Sequence, residues 1–276
     1  MDVHKWYLFT CQLFSTVFDV AYTMFFLPVL FFPVPMGYTA SRLSDALSIS
    51  AFGGFCVSAA ILGCLSAMIF NLFTYRLNVV LPQAHVLSLS KLGHIYLSVG
   101  VATFCLICVA VALIGTSADQ TEAKLWAAEK YSCAEPAFSI PRLYIFELTN
   151  MKRVVVFAVG GDILFTCLSV ACVALSFYFL ANNGLLSPKT KLMQRRFLVY
   201  LCIQASVPTI GLTIPILLIL YSMVAAVDIG QGFANLQMFI LGLHGMITSI
   251  TVLVCNEPYR TFALSFLTRR WWNNKK

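Results

Sequence analysis

Apolar residues run along this chain in long blocks, and the polar residues collect between them. The blocks lie at about 7–32, 47–73, 94–116, 154–180, 197–223 and 233–255. Each reaches the roughly 20 apolar residues that an α-helix needs to cross a hydrocarbon core about 30 Å thick. None alternates with a period of two, as the strands of a membrane barrel would. The pattern therefore predicts an all-α fold, a polytopic membrane helix bundle with residues 1–276 forming a single transmembrane domain. The interval 117–152 is expected to be an extracellular loop and 256–276 a cytoplasmic tail. Within that loop Gln120–Tyr131 has helix-forming composition, and Pro136 and Pro141 break any longer helix. It reads either as a plain connector or as a cap over an outward-facing pocket. The first block is too long for a signal-peptide core and has no small-residue cleavage site, so it is expected to be a retained span.

Composition supports the membrane reading, because the chain is 60% hydrophobic and only 11% charged. Soluble domains carry about a quarter of their residues as charges. The net charge of +7 does not point to nucleic acid, since the cations flank apolar blocks and do not form a soluble face. Anionic lipid at the cytoplasmic leaflet attracts such a distribution. Short loops rich in Lys and Arg stay in the cytoplasm. The interval holding Lys189, Lys191, Arg195 and Arg196 reads as such a loop. With the N-terminus cytoplasmic, twelve of the eighteen cations fall on inner segments and six on outer ones. Both termini are therefore expected to be cytoplasmic.

Little in the chain resembles enzyme chemistry. Of the ten cysteines, Cys133 alone lies in a long polar interval, and the others sit in apolar blocks as small hydrophobes. Cys56 is the candidate disulfide partner of Cys133, with a free thiol as the alternative. The four histidines are scattered and show no metal-ligand spacing, so neither a metal nor a cofactor is expected. There is no Gly-rich phosphate loop, and a Ser/His/Asp set can be assembled only from remote positions. No catalytic residue is assigned.

Several residues inside the blocks require a reason. An ionisable side chain at mid-membrane costs about 2.5–3.5 kcal/mol on insertion scales. Asp19, Asp162 and His244 lie mid-block, and Gln204 adds a further polar group. Each is either satisfied by a neighbouring helix or part of a polar network that couples a ligand site to helix rearrangement. Pro208 and Pro215 are about two turns apart, on one helix face, where they kink the helix or let it swing. Gly53, Gly54, Gly63 and Ser66 are small enough for close helix packing. The stretch from Leu27 to Pro35 reads as an outer helix end that turns into a rigid loop.

Three stretches together carry a resemblance. They are Lys5-Trp6-Tyr7-Leu8 through Asp19 to Pro28–Tyr38, then Ser187–Lys191 with Gln204, Pro208 and Pro215, and finally Leu243-His244-Gly245 through Glu257-Pro258-Tyr259-Arg260. In this order they resemble the nematode serpentine chemoreceptors, class H in particular, with class I second. Members of that family have seven spans and an outside N-terminus, and the Lys-Trp-Tyr-Leu element opens their second span. This chain is accordingly expected to lack the first helix.

The resemblance implies a G-protein-coupled receptor in the plasma membrane of sensory neurons. It would bind a small-molecule odorant or other chemical cue from outside and signal to a heterotrimeric G protein within. Under it Arg76, Lys189, Lys191, Arg195, Arg196 and Arg260 face the G protein, each also serving as a topology anchor. Tyr22, Phe25, Phe26, Gln237 and Phe239 are ligand-binding candidates by depth. A six-span transporter or channel subunit is the main alternative, and a non-functional receptor relic the other. The prolines of the fifth block have no counterpart in the second, which argues against the repeated halves common in transporters.

Overall fold

The computed structural model describes residues 2–31, 34–82, 85–117, 119–131, 135–146, 148–184, 186–225, 227–257 and 259–265. Its first helix, α1 (Asp2–Val20), continues into a π-helical segment, Ala21–Phe26. That segment closes at Leu27, whose backbone is left-handed (φ 34°) and whose N–H donates to the Tyr22 carbonyl at 2.6 Å. Proline follows, and a residue before proline is driven out of the helical region. The end of the first apolar block is therefore strand rather than helix. β1 (Pro28–Phe31) pairs antiparallel with β2 (Met36–Thr39), with Pro28 opposite Thr39 and Phe31 opposite Met36. β2 also pairs with β3 (Tyr144–Ile145), which completes a three-stranded sheet.

The remaining helices are α2 (Arg42–Ala46), α3 (Ala51–Val80), α4 (Lys91–Leu113), α5 (Gln120–Lys130), α6 (Leu148–Asn182), α7 (Pro188–Ala225) and α8 (Gln231–Cys255). Among the described residues six helices are long and apolar enough to cross a membrane. Their ends follow capping chemistry rather than hydropathy. Ser50 caps α3, Ser90 caps α4 and Asp119 caps α5, each accepting a backbone N–H of the first turn. At α7 the Ser187 hydroxyl accepts from Thr190 N at 3.2 Å, and Pro188 takes the first helical position, where its missing N–H costs nothing. Lys189 to Arg196, read above as a loop, therefore form the opening turns of α7. Likewise α3 runs on to Val80, beyond the apolar block that ends at Phe73.

α3 lies at the centre and packs on α1, α4 and α6, while α7 joins α6 to α8 and α8 returns to α1. Close approach rests on absent side chains. A Cβ on Gly54 would collide with the ring of Phe26, and one on Gly63 would sit 3.3 Å from Val109 on α4. Phe18, Tyr22, Leu65, Leu212, Ile219 and Leu241 form the main buried cluster. The exposed residues of α1 include Trp6, Phe9, Leu13 and Val17, and Met24 follows on the π-helical segment, an apolar stripe of the kind that faces lipid in a spanning helix.

One end of the bundle carries a folded cap with its own core of Val34, Met36, Ala127, Leu143 and Ile145. Gln120 bonds both backbone groups of Ile145: its Nε2 donates to the carbonyl at 3.2 Å and its Oε1 accepts the N–H at 2.9 Å. Arg142 ties the cap to α2. Its Nη1 donates to Asp45 Oδ1 at 2.9 Å and to the Ser44 carbonyl at 3.2 Å, and its Nη2 to the Asp45 carbonyl at 3.1 Å. Cys133 and residues 266–276 lie outside the described residues, as does Pro258.

Candidate ligand cavity and intramembrane polar pairs

A cavity of about 630 Å³ runs from beneath the cap to the middle of the bundle. Pro28, Leu30, Phe146 and Met223 line its cap end, and Phe165, Pro208 and Thr209 line its deep end. Sites for small molecules occupy this size range and are mostly apolar with a few placed polar groups. Aromatic packing connects the cap to the wall: Tyr144 stacks on Phe52 with centroids 5.4 Å apart, and Phe146 meets Phe55 edge-on at 5.5 Å.

The π-helical segment shapes one side of the cavity. Phe18, Tyr22 and Phe26 all line it, with ring centroids 5.5 Å apart for the first pair and 6.3 Å for the second. The Tyr22 hydroxyl is directed at α8, 2.9 Å from Met238 Sδ and 3.3 Å from its carbonyl. Of the residues placed by depth, Tyr22 and Phe26 are on the wall. Phe25, Gln237 and Phe239 are not among the lining residues, and Phe239 is exposed. Gln237 is 2% exposed, and neither atom of its amide has a partner among the described residues.

Asp162 also lies on the wall, and Thr213 of α7 donates to its Oδ1 at 3.2 Å. Asp19 belongs to a separate pair between α1 and α8. Nδ1 of His244 lies 3.0 Å from Asp19 Oδ1 and equally 3.0 Å from the Leu241 carbonyl. The N–H direction favours the carbonyl, so Oδ1 is buried without an aligned donor among the described residues. Ser15 Oγ stands 3.4 Å from His244 Nε2, and Phe18 packs edge-on against the imidazole. Sequence distance hid this Ser–His–Asp set. It lacks the aligned Asp–His hydrogen bond of a hydrolase triad, and Ser15 is 1% exposed and does not line the cavity. No described hydrogen bond joins this pair to Asp162 or to Gln204, which is buried on α7 beside Pro208 and Pro215. The four polar residues grouped from sequence thus occupy at least two separate places.

At the opposite end from the cap, the cations divide by role. The guanidinium of Arg76 lies 3.3 Å from the ring centroid of Phe197. Lys191 Nζ donates to the Ala181 carbonyl near the end of α6 at 3.1 Å, and Arg260 Nη1 to the Val254 carbonyl near the end of α8 at 3.2 Å. Cations at helix C-termini complement the unpaired carbonyls and the macrodipole. Lys189, Arg195 and Arg196 remain exposed on the first turns of α7. The connection between α3 and α4 is fastened by Asn78, whose amide bonds both the carbonyl and the N–H of Leu89, at 2.9 and 2.8 Å. Cys56 is half-buried on α3 with a free thiol, and its suggested partner Cys133 is not described. Among the described residues no group of His, Cys, Asp and Glu could hold a metal ion.

The described helices thus enclose an apolar cavity beneath a folded cap. No curated protein and no solved structure matches the chain. The family described as "Serpentine type 7TM GPCR chemoreceptor Srh" matches residues 1–269, and the chain belongs to it, class H of the nematode serpentine chemoreceptors.

Proposed function

We propose that the protein is a chemosensory G-protein-coupled receptor whose cavity takes a small-molecule cue from the cap side. The cap end then faces the exterior of a sensory neuron's plasma membrane, and the cationic end faces a cytoplasmic heterotrimeric G protein. A single observation carries this reading. α7 supplies cavity wall from Pro208 to Met223 and, on its opening turns, the exposed Lys189, Arg195 and Arg196. A ligand that shifts α7 therefore moves the cations, and two internal prolines soften the helix between its ends. Family membership favours a receptor over a six-span transporter, and it is a receptor class rather than an enzyme family.

The test is expression of the full chain in cells with a G-protein reporter, challenged with small apolar compounds. A response should vanish in Leu212→Trp and in Gly161→Phe while the protein still reaches the cell surface. Leu212 lies on the wall, and a Cβ at Gly161 meets nothing within 4 Å, so a side chain added there starts in open space. A response unchanged in both surface-expressed variants would falsify the assignment of the cavity.

A further inference from the structure

We propose, resting on the cavity reading above, that the ligand is an amphipathic amine: an apolar body that ends in a protonated primary or secondary ammonium paired with Asp162. Among the described residues Asp162 is the one charged side chain on a wall otherwise made of groups such as Phe18, Leu62, Phe104, Phe165 and Leu212. In a largely apolar, low-dielectric site a carboxyl group is held ionised by a positive partner, and no described Lys, Arg or His lines the cavity to supply one. The other hydroxyls with a described bond are already committed. Tyr22 is directed at Met238, Ser66 at the Leu62 carbonyl and Thr209 at the Ala205 carbonyl.

Thr213 supports the same conclusion. Hydroxyls in spanning helices usually bond a carbonyl one turn back, as Thr10, Thr16, Thr23, Thr209, Thr248 and Thr251 all do here. Thr213 instead donates across to Asp162 Oδ1 at 3.2 Å. Asp162 Oδ1 accepts this hydrogen bond, and the Thr213 oxygen keeps lone pairs for a second donor. A protonated primary amine brings three N–H donors to this carboxylate and hydroxyl, and a secondary one two. Room exists beside them. Gly160 and Gly161 line the cavity next to Asp162 in the chain, and a Cβ on either would meet nothing within 4 Å.

The test uses the detergent-solubilised full chain and two near-isosteric probes, cyclohexylmethylamine and cyclohexylmethanol, read as protection against thermal aggregation. The amine should protect at roughly 10- to 100-fold lower concentration than the alcohol, the range of a hydrogen bond to a charged group. Asp162→Asn should erase that preference while the alcohol still protects, which shows that the variant is folded and its cavity intact. Thr213→Val should reduce the preference in part. Equal protection by amine and alcohol in the wild type, or an amine preference that survives Asp162→Asn, overturns the ammonium inference and leaves the cavity reading standing. Protection that persists in Gly161→Phe places both probes elsewhere and overturns the inference together with the cavity reading.

Discussion

The carboxylate of Asp19 lies directly against the backbone of Gly245, so close that a Cβ at this glycine would collide with Oδ2. The missing side chain is what lets α1 and α8 bring Asp19 beside His244. A physical reason for the His-Gly pair on the last span follows: the imidazole meets the carboxylate, and the next residue makes room for it. Gly245→Ala should therefore destabilise the bundle by about 1–3 kcal/mol, the usual effect of overpacking. Asp19→Ala removes the obstructing group, so in the double variant the cost of Gly245→Ala should shrink. Thermal unfolding of the four species in detergent measures this coupling. Strict additivity would show that Asp19 and Gly245 do not meet.

Arg142 anchors the cap to α2 through one carboxylate and two backbone carbonyls. Its ion pair with Asp45 is substantially exposed, at 39% and 61% of the two side chains, and such pairs contribute only about 0–1 kcal/mol. The carbonyl bonds need the guanidinium fork. Asp45→Asn should hence leave the cap closed, whereas Arg142→Ala should open it, and Arg142→Lys should fail to restore it. Hydrogen exchange over 120–130 and 144–145 is the measurement. Faster exchange in Arg142→Ala than in Asp45→Asn is expected, with global stability nearly unchanged.

Hydropathy made the spans legible because lipid demands long apolar helices, and capping made their ends illegible. Ser187 and Pro188 start α7 at the helix-entry signals, well before the apolar block begins at Phe197. The segment Pro28–Phe31 is as apolar as the helix it follows, so only pairing with Met36–Thr39 distinguishes it as a strand. Asp19, Asp162 and His244 were visible as costly residues, but their partners come from other helices and no spacing encodes them. Thr213 gave no signal at all, since a threonine in a spanning helix normally satisfies itself. Nothing in the sequence pairs Arg142 with Asp45, 97 residues apart.

The ring of Phe197 carries the guanidinium of Arg76 on its face at 3.3 Å. Stacking of this kind contributes roughly 0.5–2 kcal/mol, more when desolvated. Arg76 is half-buried, so the upper part of that range applies. Phe197→Leu should lower stability by about 1–2 kcal/mol, while Phe197→Tyr keeps a ring face and should stay near wild type. Thermal denaturation of both variants decides it, and equal losses would mean that the aromatic face is not what holds Arg76.

The cations at the end opposite the cap should separate in their effects. Lys191 and Arg260 bond carbonyls near the ends of α6 and α8, whereas Lys189, Arg195 and Arg196 are exposed and have no described side-chain hydrogen bond. Lys191→Ala and Arg260→Ala should each cost about 0.3–1 kcal/mol of stability, as cations at helix C-termini do. The triple variant Lys189→Ala/Arg195→Ala/Arg196→Ala should change stability by no more than about 0.5 kcal/mol per site, the usual range for exposed positions. If these three meet a G protein, the triple variant should lose most ligand-stimulated nucleotide exchange at unchanged surface expression. Lys191→Ala and Arg260→Ala should keep that exchange once corrected for folded protein. The assay is nucleotide exchange in membranes, and equal exchange in the triple variant and the wild type would assign these cations to topology alone.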